Sequence, residues 1–307
     1  MNIAVSAISF CKNRTLRSEL LDHFPNAKFI DSNGVPNQNE LIAFYKNANG
    51  IIVGTEKIDQ KLLNQFPEIQ IISKYGVGLD NIDFEALKRL KIKFGFTAGT
   101  NRLSVAELTL GFMLGLSHNI FLKGIPLKSG HWDKNGGIQL SNQSVGIIGC
   151  GNIGYKLVEL LKPFNCNILV NDIEDKRLLI KPHKAKQVSK EEIFNKCRFI
   201  TLHTPLTQDT KHLINKATLK SMRNDGFLIN TARGKLVDQE ALKKALLNQE
   251  IAGAALDVYE IEPPIDKEFL SLPQLITTPH IGGNSLEAQL NMGRSAIKHL
   301  REHFKVF

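Results

Sequence analysis

Short β-branched and apolar runs alternate with amphipathic segments along the N-terminal third of the chain. The runs typical of strands are Ile3–Val5, Lys28–Ile30, Gly50–Val53, Ile69–Ser73 and Ile92–Gly95. The segments with helical spacing of apolar positions are Arg14–Phe24, Asn39–Asn47, Asp59–Phe66 and Phe84–Leu90. Strands that alternate with helices favour parallel βαβ units.

A long apolar segment follows, and its spacing predicts one helix over Asn101–Leu122. Gly111 and Gly115 lie on one side of this helix and permit close packing. The polar, glycine-rich stretch from Lys128 to Asn142 is typical of a loop.

After this loop, segments typical of strands and of helices alternate again. Strands are predicted at Ser144–Ile148, Asn167–Asn171, Phe199–His203, Gly226–Asn230, Gly253–Val258 and Leu275–Thr278. Helices are predicted at Ile153–Leu161, Glu240–Asn248 and Ser285–Phe304. Two such systems predict an α/β protein with two doubly wound, parallel-sheet (Rossmann-like) domains and an active site in the cleft between them.

The 307 residues suffice for two domains, and 42% hydrophobic residues suffice for full cores. We assign residues 98–281 to a dinucleotide-binding domain. Residues 1–97 and 282–307 then form a discontinuous substrate (catalytic) domain.

A glycine motif after the strand Ser144–Ile148 predicts the dinucleotide site. Gly149 makes the tight turn, Gly151 lets a pyrophosphate approach the backbone, and Gly154 lets helix and strand pack closely. The phosphates meet the positive end of the following helix. The residues assigned to the cofactor here are Gly149, Gly151, Asn152, Ile153, Gly154 and Asp172.

Asp172 ends the next apolar run and selects the cofactor. A carboxylate accepts hydrogen bonds from the ribose 2′-hydroxyl and repels a 2′-phosphate, which favours NAD over NADP. Lys176 and Arg177 follow closely, so residual use of NADP stays open.

Three segments place an ionisable residue directly after a predicted strand, at the ligand-facing edge of the sheet. They carry Arg233, Glu262 and His280. An arginine can hold a carboxylate with two parallel hydrogen bonds, and a histidine can pass a proton near neutral pH. A neighbouring glutamate raises the pKa of a histidine and orients its ring. Together, beside a dinucleotide site, they predict a catalytic set.

The net charge is +9, but the lysines and arginines are spread along the chain rather than clustered. This pattern argues against nucleic-acid binding, and a basic surface can attract small anionic substrates. No apolar run reaches the roughly 20 residues that a membrane span needs, so we expect no membrane contact. Four scattered cysteines indicate free thiols and a cytoplasmic location.

Seven segments resemble those of the D-isomer-specific 2-hydroxyacid dehydrogenases, and among them most closely the phosphoglycerate dehydrogenases. They are SKYGVGLDNID (73–83), TNRLSVAELTLGFML (100–114), GIIGCGNIG (146–154), HTPLTQDT (203–210), INTARGKLVD (229–238), AGAALDVYEIEPP (252–264) and TPHIGG (278–283). The resemblance extends from about residue 50 to the final helix.

The resemblance implies that Arg233 binds the substrate carboxylate and carbonyl, that His280 is the acid–base, and that Glu262 pairs with it. Asp257 would hold the nicotinamide amide. The other cofactor contacts that the resemblance implies are Thr204, Pro205, Thr231, Ala232 and Gly282. The substrate contacts that it implies, besides Arg233, are Val77, Gly78 and Asn101. Family members commonly form dimers through the cofactor domain, so we expect a homodimer.

The sequence departs from phosphoglycerate dehydrogenases where an arginine commonly contacts the substrate phosphate, because Gly54 stands there. Lys57 and Lys74 lie nearby, and Lys134 follows Trp132 where a second basic contact is expected. The substrate is therefore expected to be a small anionic 2-hydroxy or 2-keto acid, phosphorylated or not.

The resemblance implies an NAD-dependent D-2-hydroxyacid dehydrogenase, similar to the phosphoglycerate dehydrogenases, that transfers a hydride between NAD(H) and such an acid. Two alternative functions stay open. One is a glyoxylate or hydroxypyruvate reductase, which would act on unphosphorylated 2-keto acids. The other is a dinucleotide-sensing corepressor, which would bind NADH with negligible turnover. Because the chain ends after its last helix, we expect no C-terminal regulatory domain.

Overall fold

The computed structural model describes residues 1–32 and 34–306, and the chain divides into two compact units. Unit 1 consists of Met1–Asn101 and the segment from Gly283 onwards, and unit 2 is Arg102–Gly282. The sequence placed these divisions at 97/98 and 281/282. Asn33 and Phe307, which belong to the predicted discontinuous domain, lie outside the described residues.

Unit 1 contains a sheet of five parallel strands. They are β1 (Ile3–Val5), β2 (Lys28–Phe29), β3 (Gly50–Val53), β4 (Ile71–Lys74) and β5 (Lys93–Gly95). Their spatial order is β2-β1-β3-β4-β5, one of the two common doubly wound orders.

Helices cover both faces of this sheet, as the apolar strands require. They are α1 (Ile8–Lys12), α2 (Arg14–His23), α3 (Gln38–Phe44), α4 (Gln60–Leu63), α5 (Phe84–Arg89) and the C-terminal helix (Leu286–Phe304). Along β3, Ile51 packs on one side in a cluster with Tyr45. Its neighbour Ile52 packs on the other side with Leu16 and with Leu300 of the C-terminal helix.

Unit 2 contains a sheet of seven parallel strands. They are β6 (Ser144–Ile148), β7 (Asn167–Asn171), β8 (Lys186–Gln187), β9 (Phe199–Leu202), β10 (Phe227–Asn230), β11 (Gly253–Leu256) and β12 (Leu275–Thr277). Their order is β12-β11-β10-β9-β6-β7-β8, so the winding reverses between β6 and β9. Ligands of such sheets bind beyond the carboxyl ends of the strands at that reversal. The predicted fold class is confirmed.

The helices of unit 2 are α6 (Arg102–Ser117), α7 (Ile120–Leu127), α8 (Asn152–Leu161), α9 (Arg177–Ile180), α10 (Lys190–Lys196), α11 (Lys216–Ser221), α12 (Gln239–Leu247) and α13 (Lys267–Leu270). Short 3-10 helices occupy Lys162–Phe164, Lys181–His183 and Gly234–Leu236. The sequence prediction missed β8, α9, α10, α11 and α13. Each spans at most seven residues, which is too short for a periodic pattern.

The single helix predicted over Asn101–Leu122 is wrong, because the chain forms α6 and α7 with a bend of 68° between them. Asn119 adopts a left-handed conformation (φ +54°) at the break, and its side chain donates to the carbonyl of Gly136 at 3.3 Å. No single helix within 1–32 and 34–306 is long and apolar enough to cross a membrane. The bent pair passes by length and composition only.

Candidate active site

The glycine turn between β6 and α8 depends on backbone contacts that leave no room for side chains. A Cβ at Gly149 (φ +96°) would lie 2.6 Å from the carbonyl of His203. A Cβ at Gly154 would lie 2.0 Å from the Gly149 oxygen. At Gly151, by contrast, a Cβ would meet nothing within 4 Å. The backbone beside the start of α8 is therefore open, and the pyrophosphate contact expected there stays a prediction.

Asp172 follows β7 and lies against the glycine turn. Its Oδ2 accepts from the backbone N–H of Cys150 at 2.7 Å, and its Oδ1 accepts from that of Glu174 at 2.9 Å. The carboxylate is thereby fixed beside the turn, as a contact to a ribose hydroxyl requires.

The residues after β9 carry buried polar atoms without partners. Thr204 Oγ1 and His203 Nδ1 are both buried and unpaired, although buried polar groups normally have a hydrogen-bond partner. Burial lowers the pKa of His203 to about 3, so its imidazole is neutral. Unpaired groups beside the glycine turn fit a polar ligand there. The sequence named Thr204 and Pro205 but missed His203, whose signal was its place at the end of a buried strand.

Thr231, Ala232 and Arg233 follow β10. Thr231 Oγ1 lies 3.0 Å from Thr109 Oγ1, and the Ala232 N–H donates to Asn230 Oδ1 at 3.0 Å. Asn230 Nδ2 also donates to the carbonyl of Arg233 at 2.8 Å, so Asn230 fixes the start of this loop. The Arg233 guanidinium donates to the Ala232 carbonyl at 2.7 Å.

Two loops that carry predicted catalytic residues meet at Gly234. A Cβ there would lie 1.9 Å from the backbone of Tyr259, so only glycine permits this approach. The loop after β10 therefore packs directly against the loop after β11, which carries Glu262.

His280 and Glu262 form the central pair of the site. His280 Nδ1 lies 2.7 Å from Glu262 Oε2, and Glu262 Oε1 accepts from the Tyr259 N–H at 3.1 Å. The hydrogen bond to Glu262 raises the pKa of His280 against the opposing effects of burial and of Arg233. Burial works to raise the pKa of Glu262, but the bonds from His280 and Tyr259 outweigh it and leave that pKa lowered. The pair thus favours an imidazolium beside a carboxylate.

Asp257 fixes the turn that carries His280. Its carboxylate is only 1% exposed, and it accepts from Thr278 Oγ1 at 2.6 Å and from the N–H groups of Ile281 at 2.7 Å and Gly282 at 2.8 Å. His280 itself has a positive φ of +54°, which these bonds support. The sequence analysis did not predict that Asp257 fixes this turn. The nicotinamide contact implied for Asp257 stays a prediction.

Unit 2 thus brings together Arg233, Glu262 and His280 with Asp257 and Gly282. Val77, Gly78 and Asn101 belong to unit 1. Asn101 is buried with its Oδ1 unpaired, and a Cβ at Gly283 would lie 2.6 Å from Asn101 Nδ2. The roles of these three residues in substrate binding stay predictions, as does the cleft between the domains.

Among residues 1–32 and 34–306, no group of three or more His, Cys, Asp or Glu side chains could hold a metal ion.

Comparisons with known proteins place the chain among 2-hydroxyacid dehydrogenases. Residues 110–282 match the family model described as D-isomer specific 2-hydroxyacid dehydrogenase, NAD binding domain. A hydroxypyruvate reductase of Thermotoga maritima is 34% identical over 265 residues, which cover 83% of this chain and 85% of the relative. A D-3-phosphoglycerate dehydrogenase of Methanocaldococcus jannaschii is 35% identical over 277 residues, or 86% of this chain and 51% of the relative. The chain spans about half the length of this second relative.

A solved structure has the same fold over nearly the whole chain. The D-lactate dehydrogenase of Aquifex aeolicus, complexed with NAD and lactic acid, superposes with a TM-score of 0.85 at 26% identity. The match covers 99% of this chain and 96% of that one.

Proposed function

The chain belongs to the D-isomer specific 2-hydroxyacid dehydrogenase family, and we propose that Arg233, Glu262 and His280 are its catalytic set. It is an NAD-dependent oxidoreductase that acts on a CH–OH group. The observation that carries the proposal is the 2.7 Å contact between His280 Nδ1 and Glu262, which prepares an acid–base at the end of β12.

His280 transfers the proton of the reaction. With Nδ1 bonded to Glu262, the imidazolium carries its second proton on Nε2. NADH, when bound, supplies a hydride to carbon 2 of the 2-keto acid. His280 donates its Nε2 proton to the carbonyl oxygen, which becomes the hydroxyl of the product. In the reverse direction, neutral His280 accepts that hydroxyl proton.

Arg233 holds the substrate anion. Its planar guanidinium can bind a carboxylate through two parallel hydrogen bonds, a geometry that a lysine cannot reproduce. The Ala232 carbonyl and Asn230 fix the start of its loop, so the group is held at the end of β10 before substrate arrives. This arrangement binds a 2-keto acid through its carboxylate, which is the group that all such acids share.

The substrate we favour is a small unphosphorylated 2-keto acid such as hydroxypyruvate or glyoxylate. Of the lysines near Gly54, Lys74 is only 4% exposed and donates to the Gly54 carbonyl. Lys57 forms an ion pair with Asp59 at 3.0 Å. Both of these lysines near Gly54 are thus already engaged, and neither has the fork geometry of arginine. A phosphoglycerate dehydrogenase activity is the alternative.

The decisive experiment follows NADH oxidation with glyoxylate, hydroxypyruvate, pyruvate and 3-phosphohydroxypyruvate. We expect turnover with the unphosphorylated acids and a loss of at least tenfold in kcat/KM with the phosphorylated one. NADH binding without turnover of any 2-keto acid would contradict the proposed enzymatic activity and favour a function as a dinucleotide-sensing corepressor. Preference for 3-phosphohydroxypyruvate would contradict only the substrate assignment.

The role of His280 is tested by His280→Asn, because asparagine tolerates the left-handed conformation of this position. We expect a loss of at least a hundredfold in kcat with NADH binding retained. His212→Asn is a matched control, since His212 also has a positive φ (+50°) and lies 3.2 Å from a glutamate, Glu260. Equal losses in both variants would remove the acid–base assignment.

We further propose a homodimer formed through unit 2. Helix α7 exposes the apolar side chains of Ile120, Phe121, Ile125 and Leu127, and such patches commonly mark protein interfaces. A monomeric mass by light scattering at micromolar concentration would contradict this proposal.

A cytoplasmic location is proposed from the four unpaired cysteines, which suit a reducing compartment.

A further inference from the structure

The segment Asp172–Arg177, which follows β7, has a charge pattern that cofactor binding through Asp172 does not explain. It contains the acids Asp172, Glu174 and Asp175 and the bases Lys176 and Arg177. A basic side chain at this position in the fold commonly accommodates the 2′-phosphate of NADP. By sequence alone, Lys176 and Arg177 would therefore admit NADP.

Each base is paired with an acid of the same segment. Lys176 Nζ contacts the Glu174 carboxylate, and the Lys176 side chain is only 18% exposed. Arg177 donates from Nε at 2.9 Å and from Nη2 at 2.7 Å to the two oxygens of Asp175. The bond from Arg177 lowers the pKa of Asp175 to about 2, and the bond to Glu174 raises the pKa of Lys176. Each base is thus already bound to a carboxylate of its own segment.

The side chain of Gln187, in β8, fixes the backbone of this segment. Its Oε1 accepts from the Lys176 N–H at 2.7 Å, and its Nε2 donates to the carbonyls of Glu174 at 2.8 Å and Asp172 at 3.2 Å. Gln187 is fixed in turn because β8 pairs with β7, opposite Val170. Three hydrogen bonds from one side chain thus set the backbone on which both ion pairs form.

We propose that Glu174 and Asp175, positioned by Gln187, exclude NADP by occupying the two basic side chains that would bind its 2′-phosphate. The segment has one more acidic than basic side chain, so a 2′-phosphate would meet a net negative charge. Cofactor choice then depends on the whole segment and not on Asp172 alone. This inference rests on the assignment of Gly149–Asp172 as the cofactor site.

The test measures binding rather than turnover. The variant Glu174→Gln/Asp175→Asn keeps the shape of both side chains and releases both bases. Calorimetry with NADH, NADPH, 5′-AMP and 2′,5′-ADP gives the affinity ratio of phosphorylated to unphosphorylated ligand. Two exposed ion pairs and the removed repulsion predict a gain on the order of tenfold in this ratio. The affinity for NADH should stay within about threefold.

A matched control separates local pairing from total charge. The variant Glu191→Gln/Glu192→Gln removes two acidic charges from α10 of the same unit. An equal gain in this control, or no gain in the segment variant, would overturn the proposal. A wild-type protein that binds NADPH as tightly as NADH would also overturn it. Failure of the wild type to bind NADH would instead contradict the cofactor site itself.

Gln187→Ala tests the positioning role. The ratio of 2′,5′-ADP to 5′-AMP affinity should rise by at least about threefold, because the segment can open and free its bases. Gln187→Met keeps the length of the side chain without adding charge but loses the acceptor and both donors, so it should behave like the alanine variant. A drop in melting temperature with an unchanged ratio would show that Gln187 only stabilises the fold and would refute this role.

Discussion

The Asp257 carboxylate offers the sharpest test of how the His280 turn is held. In Asp257→Asn, the amide oxygen can still accept from Thr278 Oγ1 and the Ile281 N–H. The amide nitrogen then faces the Gly282 N–H, which donates at 2.8 Å in the native protein. Two donors would oppose each other at a buried position.

The magnitude follows from these contacts. The lost bond to a charged acceptor contributes about 1.5–3 kcal/mol, and a buried, unpaired N–H costs about 1–3 kcal/mol. Allowing for relaxation of the turn, we expect a local loss of about 3 kcal/mol. Since about 1.4 kcal/mol is a factor of ten, amide exchange through local opening should accelerate about a hundredfold.

Hydrogen exchange followed by mass spectrometry on a peptide containing Ile281 and Gly282 measures this effect directly. Thr278→Val is the control, since it removes one donor and leaves the carboxylate with both N–H groups; its exchange should change by about tenfold or less. Unchanged exchange in Asp257→Asn would refute the reasoning that this carboxylate holds the turn.

Three further predictions concern the same site. In Glu262→Gln the amide no longer stabilises the imidazolium, so the pKa of His280 falls and the alkaline limb of kcat/KM for keto-acid reduction moves to lower pH; an unmoved limb would contradict the pairing. Gly151→Ala should fold normally, because a Cβ there meets nothing within 4 Å, yet bind NADH at least about tenfold more weakly in a fluorescence titration; unchanged affinity would place the pyrophosphate elsewhere. Arg233→Lys keeps the charge but loses the fork, so KM for the 2-keto acid should rise about tenfold or more, and a normal KM would exclude bidentate binding.

The strands around the cofactor site were predictable because local pattern and function coincide there. The predicted bounds of Ser144–Ile148 and Asn167–Asn171 are those of β6 and β7. Their apolar residues are buried on both faces, and the glycine turn and Asp172 mark where they end. Arg233, Glu262 and His280 could be grouped because each follows a strand, and parallel strands end at one edge.

Contacts made by tertiary structure could not be read from the sequence. Lys74 resembles a surface cation until the pairing of β4 with β3 buries it beside the Gly54 carbonyl. Gln187 lies in a strand of two residues, which is too short to show a periodic pattern. Its hydrogen bonds to the segment Asp172–Arg177 could therefore not be predicted from the sequence. The break at Asn119 is hidden because apolar residues continue on both sides of it.

Unit 2 is one uninterrupted stretch of chain, inserted between Asn101 and Gly283 of unit 1. The glycine turn, the segment Asp172–Arg177 and the three proposed catalytic residues therefore share a single stretch of coding sequence bounded by two junctions. Crossovers at these two junctions would transfer the residues proposed for hydride and proton transfer as one piece, while the flanking segments diverge. Chimeras joined at Asn101/Arg102 and Gly282/Gly283 would combine unit 2 of this chain with the unit 1 segments of other family members.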